Sequence, residues 1–140
     1  MKKLVFSAVF ALAAIVSLAQ EKEIRGNIGQ AEVKADMAIF NWSESSHDFG
    51  KVKQSIPVTH EFKFTNSGRV PLVIVNAQPS CGCTTPDWTK TPVPPGGSGF
   101  IKATFNAASA GPFNKTITVT ANVEGGSMYL TIKGEVLVAE

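Results

Sequence analysis

Hydrophobic and polar residues alternate with a period of two from Val58 to Thr65. Val58, His60, Phe62 and Phe64 fall on one face, and Thr59, Glu61, Lys63 and Thr65 on the other. Side chains of an extended chain point to alternate sides, so this pattern predicts a strand with one buried face. The period recurs from Thr116 to Val123, where Thr116, Thr118 and Thr120 oppose Ile117, Val119, Ala121 and Val123. Further strands are predicted over 38–42, 48–52, 72–77, 100–105 and 128–138. The run 72–77 is almost continuously apolar and so predicts a more central strand. Turn chemistry separates these runs at Asn66-Ser67-Gly68, Pro94-Pro95-Gly96-Gly97 and Glu124-Gly125-Gly126-Ser127, where Asn and Gly accept positive φ and Pro presets a turn. No stretch carries a convincing helical period. About seven short strands in about 100 residues predict an all-β fold, an immunoglobulin-like antiparallel β-sandwich.

The N-terminus follows a different rule. Met1-Lys2-Lys3 is followed by an apolar run from Leu4 to Leu18 that only Ser7 and Ser17 interrupt, and small residues precede Gln20. This is the three-part pattern of a secretory signal peptide over 1–19, with cleavage before Gln20. The run is shorter than the roughly 20 apolar residues a membrane span needs. Residues 20–36 are mixed and polar and predict a spacer; residues 37–138 form the predicted domain. An exported chain is therefore expected in the periplasm or cell envelope, or released outside, with no transmembrane segment after cleavage.

Composition changes the picture at one point. The net charge of +2 comes from 13 basic and 11 acidic residues, and Lys2 and Lys3 lie in the signal. Without them the charges balance, so the basic excess of a nucleic-acid binder is missing and no nucleic-acid partner is expected. The 44% hydrophobic content suffices for a core, and 140 residues leave no room for a separate cofactor domain.

Several short motifs stand in a recognisable order. They are Ser46-His47-Asp48-Phe49-Gly50-Lys51-Val52, Phe62-Lys63-Phe64-Thr65-Asn66-Ser67-Gly68, Pro71-Leu72-Val73-Ile74, Ser80-Cys81-Gly82-Cys83-Thr84, Pro94-Pro95-Gly96, Asn114-Lys115-Thr116 and Lys133-Gly134-Glu135-Val136. In this order the chain resembles the exported bacterial family called Domain of Unknown Function 1573, over about residues 37–138. That family is similar to ASH and Hydin modules and to major-sperm-protein and PapD-like sandwiches. The resemblance implies an immunoglobulin-like fold and leaves the chemistry open.

Cys81-Gly82-Cys83 is the sharpest chemical feature. In an oxidising compartment the two cysteines predict a local disulfide, with Gly82 permitting the tight turn. So small a ring stabilises less than a long-range bridge. Thiol redox chemistry is the second option, because a small-ring disulfide is readily reduced. The flanking Gln78, Pro79, Ser80, Thr84 and Thr85 supply no cation to lower a thiol pKa. Metal binding is the third: Cys81 and Cys83 could take Cu(I), or join His47 and His60 in a Cys₂His₂ zinc set.

The remaining polar residues read as structural. His60 is expected as a partly buried, hydrogen-bonded core residue, and His47 as a structural histidine in a Ser/Thr-rich loop. Asp48 is expected to accept backbone hydrogen bonds in a turn. Phe40 and Trp42 share a strand face and are expected in the core, and Trp88 is expected to pack over the cysteine loop. No nucleophile elbow, zinc-protease helix motif or phosphate loop is present. The sequence therefore predicts a non-enzymatic envelope module without a cofactor. Its partner, a protein or polymer, would meet an edge strand or the cysteine loop, with Pro79, Ser80, Gly82, Thr84 and Trp88 as candidate contacts.

Overall fold

The computed structural model describes residues 37–138. The expected signal over 1–19 and spacer over 20–36 lie outside the described residues. Eight strands follow in chain order: β1 (Phe40–Trp42), β2 (Ser46–Lys53), β3 (Val58–Asn66), β4 (Ile74–Pro79), β5 (Thr84–Trp88), β6 (Ser98–Phe105), β7 (Gly111–Ala121) and β8 (Ser127–Leu137). They form two four-stranded sheets, β1-β3-β6-β5 and β2-β8-β7-β4. The inward residues of both make one core, led by Phe62, Phe64, Leu72, Ile101, Ile117, Val119, Leu130 and Ile132, all at most 2% exposed. The alternations read in β3 and β7 therefore mark true inside and outside faces. Burial of these side chains supplies the stabilisation of a domain that carries no long-range bridge among the described residues.

The sandwich differs from the expected one in two respects. An eighth strand, β5, crosses a segment whose Pro86 argues against a strand. Proline costs a ladder donor and is tolerated only at a sheet edge. β5 is such an edge, paired only with β6, and Pro86 stands opposite Ala103. The sheets are also not wholly antiparallel: β2 runs parallel to β8, with Ser46 opposite Thr131 and Val52 opposite Val136. A register shift between Asp48 and Lys51 interrupts this pairing. There Gly50 takes φ +64°, and Asp48 Oδ1 accepts the Gly50 N–H at 2.8 Å, the turn role expected of Asp48.

The turns obey their residues. Gly125 and Gly126 have φ of 78° and 73°, values that glycine adopts without steric cost, in the β7–β8 connection, where Gly126 N donates to Val123 O at 2.9 Å. Asn66 and Gly68 work differently from the positive-φ turn expected of them, since neither takes positive φ. Asn66 is fully buried. Its side-chain amide donates to Val70 O at 2.8 Å and Val93 O at 3.0 Å. Its Oδ1 accepts from Gly68 N at 2.9 Å and Ile39 N at 3.3 Å.

Gly68 is glycine for want of room. A Cβ there would overlap Met37 O and stand 2.8 Å from both Ala38 Cα and Ile39 N. Because the obstacle is backbone, Gly68→Ala is expected to destabilise by about 3 kcal/mol, the upper range for overpacking. Urea unfolding measures this, and a change below about 0.5 kcal/mol, as at an ordinary surface site, would show that the 37–39 segment moves aside freely.

Candidate functional site

The chain crosses from one sheet to the other between β4 and β5, and both strands are sheet edges. Cys81 and Cys83 sit in this crossover and are joined as a disulfide, with Cα atoms 5.3 Å apart. The local bridge expected from Cys-Gly-Cys is therefore present. In this bonded state the sulfurs offer no thiolate to Cu(I).

Ordinary hydrogen bonds anchor the crossover on both sides. Ser80 N donates to Thr116 O at 2.8 Å, and Ser80 Oγ accepts from Thr116 N at 3.1 Å. Asn106 N donates to Cys83 O at 2.9 Å. Ser80 and Gly82 are exposed, and Pro79 is half-buried. Thr84 points inward, 3% exposed, and its hydroxyl makes no hydrogen bond. It can shape the corner but presents no surface.

Trp88 does not cover the disulfide as expected. β5 carries it roughly 16 Å beyond Cys83 at about 3.3 Å per residue. There it packs against the core, with Lys90 Nζ 3.0 Å from its ring centroid. Cys83 instead borders a cavity of about 190 Å³ lined also by Phe105, Asn106 and Lys115. Lys115 is a cation that the residues flanking the cysteines lack; the topology delivers it from β7.

Exposed apolar side chains lie at the other end of β4 from this corner. Val75 is 68% exposed and Val73 38%. Val75 falls where the β4–β7 register shifts, between Ile74 and Asn76. The other three edges are blunted against pairing. β1 has only three residues, β2 is interrupted at Gly50 and carries Lys51 and Lys53, and β5 contains Pro86.

The two histidines meet away from the cysteines. His47 lies on β2 rather than in a loop, and His60 on β3. Their rings stack with centroids 3.6 Å apart and planes 6° from parallel. Glu44, in the β1–β2 connection, places Oε1 2.7 Å from His60 Nε2 and Oε2 3.8 Å from His47 Nδ1. The short contact lacks hydrogen-bond alignment, so His60 Nε2, expected to be bonded, is buried without a satisfied partner. Among the described residues the one group able to hold a metal is Glu44, His47 and His60, and neither cysteine joins it. The Cys₂His₂ set is thereby excluded. Glu44 was missed because its role depends on a contact between sheets that no local spacing encodes. Asp48 and Asp87 stand on β2 and β5, in different sheets, and form no carboxylate pair.

An apolar cavity of about 360 Å³ opens beside β1, lined by residues that include Ile39, Phe40, Trp42 and Met128. Phe40 and Trp42, stacked at 4.7 Å, form its aromatic wall, and both rings pack against Phe64. The two strand residues thus join the core as expected, but Trp42 Nε1 is buried there without a hydrogen-bond partner.

No curated protein matches the sequence. Solved structures do match in fold. A protein of unknown function from Porphyromonas gingivalis W83 is 17% identical with a TM-score of 0.64, over 73% of this chain and 48% of that one. This chain thus spans about half the length of that relative. The ASH/PapD-like domain 7 of human CEP192 is 12% identical with a TM-score of 0.57, over 76% of this chain and 89% of that one. A family 123 glycoside hydrolase from Clostridium perfringens is 10% identical with a TM-score of 0.58, over 76% of this chain but 27% of that one. At these identities the likeness is one of fold, and it establishes the immunoglobulin-like, PapD-like sandwich. The family described as "Protein of unknown function (DUF1573)" matches residues 40–136, almost every residue from β1 to β8, and the chain belongs to that family.

Proposed function

We propose that the protein is an exported, non-enzymatic binding module of the cell envelope that holds a protein or polymer partner at the β4–β5 corner. The observation that carries this reading is the disulfide-closed crossover between two edge strands. Its Ser80 and Gly82 are exposed, and the outward Val75 and Val73 lie along the same chain toward the start of β4, roughly 16 and 23 Å away at about 3.3 Å per residue. A rigid surface gives up little entropy on binding. Exposed apolar groups farther along the same edge, Val75 and Val73, supply contact area that a polar turn lacks to a partner long enough to span both. The register shift at Val75 makes β4 a poor template for a continuous added strand, so the contact rests on side chains and the fixed turn. The sandwich fold is one that ASH/PapD-like domains share, and a binding role accords with it.

Substituting both cysteines by serine tests this. A ring of three residues is expected to contribute about 1.5 kcal/mol on the chain-entropy account, so the fold should survive with a modestly lower melting temperature. Partner capture should fall at least tenfold. A photo-crosslinker at the exposed Gly82 should trap the partner in cells, and one at the exposed Lys63 on the other sheet should not. Equal yields from both positions, or full capture by the double serine variant, would remove the corner from the contact. Export predicts a mature N-terminus at Gln20.

A second reading, thiol redox, is favoured by one observation: Lys115 borders the same cavity as Cys83. A nearby ammonium lowers a thiol pKa and helps a thiolate to leave. A reduction potential below about −300 mV, the range of structural bridges, would end that reading.

A further inference from the structure

We infer that Glu44, His47 and His60 form a zinc-binding site that ties the two sheets together. The inference is independent of the partner reading above. Two imidazole nitrogens and a carboxylate are the ligand types of three-ligand zinc sites, which leave a further position for water or another ligand. Their candidate donor atoms all lie within 4.8 Å of one another. Donors about 2.0–2.1 Å from a tetrahedral zinc stand about 3.4 Å apart. The observed 2.7 Å and 3.8 Å contacts to the Glu44 oxygens straddle that value.

Three features fit this use better than a structural one. His60 Nε2 is buried and makes no aligned hydrogen bond, although a Glu44 carboxylate oxygen lies 2.7 Å away. A buried polar atom without a partner is costly, and a metal bond would remove the cost. The histidines are walled by aromatic rings: Phe49 meets His47 edge-on at 4.8 Å, and Phe62 meets His60 edge-on at 4.7 Å. These walls hold both imidazoles in the seam between the sheets and leave rotation about χ2 as the adjustment open to them. Glu44 remains 44% exposed in its side chain, so the site has an entry path and an adjustable third ligand.

One movement is required. A metal lies in the plane of each imidazole that binds it, and here the planes are parallel. The rings must therefore fan apart about χ2, a soft torsion for histidine. The result joins β2 of one sheet to β3 of the other through the β1–β2 connection. Elsewhere along their length these two strands make little contact.

The test uses untagged protein freed of metal with a chelator. Zinc titration by calorimetry should show one ion per chain, with a dissociation constant on the order of micromolar or tighter, and a higher melting temperature when saturated. The imidazole ¹⁵N signals of both His47 and His60 should shift together. Glu44→Gln, at an exposed position that leaves the fold intact, should weaken binding at least about tenfold, as removing even a supporting group does elsewhere. His47→Asn should abolish binding. Cobalt should give a visible d–d spectrum that both variants lose. Saturation unchanged in both variants would place the ion elsewhere and overturn the inference. The absence of saturable binding up to about 100 µM zinc, tenfold or more above the expected affinity, would overturn it equally.

Discussion

Asn66→Asp is expected to cost about 3–6 kcal/mol, the sum of two buried hydrogen bonds lost and a charge placed at a sealed site. The substitution keeps size and shape, so no cavity arises. It turns the amide that donates to Val70 O and Val93 O into an acceptor facing two carbonyl oxygens. The side chain is 0% exposed, so water cannot repair the mismatch. Small domains have only about 5–15 kcal/mol of stability, so much of the margin disappears. Asn66→Ala should cost a comparable amount for a different reason: it strands the two carbonyls and also the Ile39 and Gly68 N–H groups. Urea unfolding at neutral pH measures both. In acid the Asp variant should recover part of its deficit, because a protonated carboxyl again donates one bond, whereas the Ala variant should not. A neutral-pH change under about 1 kcal/mol in both, the net value of one ordinary hydrogen bond, would mean that Asn66 is not the pin it resembles.

Phe64→Ala comes next, with an expected loss of about 3–5 kcal/mol. Phe64 is 2% exposed and meets Phe40 and Trp42 at centroid distances of 4.8 Å and 5.0 Å. Truncation opens a void that three elements cannot refill. The ring also explains a glycine. A Cβ on Gly99 would stand 2.5 Å from Phe64 Cζ and 3.0 Å from Cε1. Gly99 lies opposite Phe64 on the neighbouring strand, so the ring rests over a bare backbone. Gly99→Ala should cost about 1–3 kcal/mol in the native background and almost nothing once Phe64 is Ala. The resulting coupling should exceed the roughly 0.5 kcal/mol expected of unconnected sites. A coupling near zero would show that the ring yields without cost.

The strands with strong alternation, β3 and β7, were legible from residue type because one buried face writes period two into the sequence. The Gly125-Gly126 hairpin was legible because its φ values exclude most other residues. Strand β5 was not, since Pro86 is admissible only at an edge and edges are decided by the whole sheet. The parallel direction of β2 was hidden for the same reason: alternation reports which face is buried and is silent about neighbours. In the site, Cys81 and Cys83 were adjacent and their pairing could be anticipated. Glu44, His47 and His60 come from three segments on two layers, and only the packing of those layers makes them a group. Lys115 comes to line the same cavity as Cys83 by the same kind of accident of topology.

The parallel alliance of β2 with β8 also sets an order in time. β2 is an edge strand whose one partner, Ser127–Leu137, is the last of the described strands to be synthesised. Until then His47, Phe49 and Val52 have no sheet to join, and the strand that must separate β2 from β7 does not exist. Contacts so distant along the chain close late and slowly. The sheet β2-β8-β7-β4 therefore closes after β1-β3-β6-β5, whose strands are all present by Phe105.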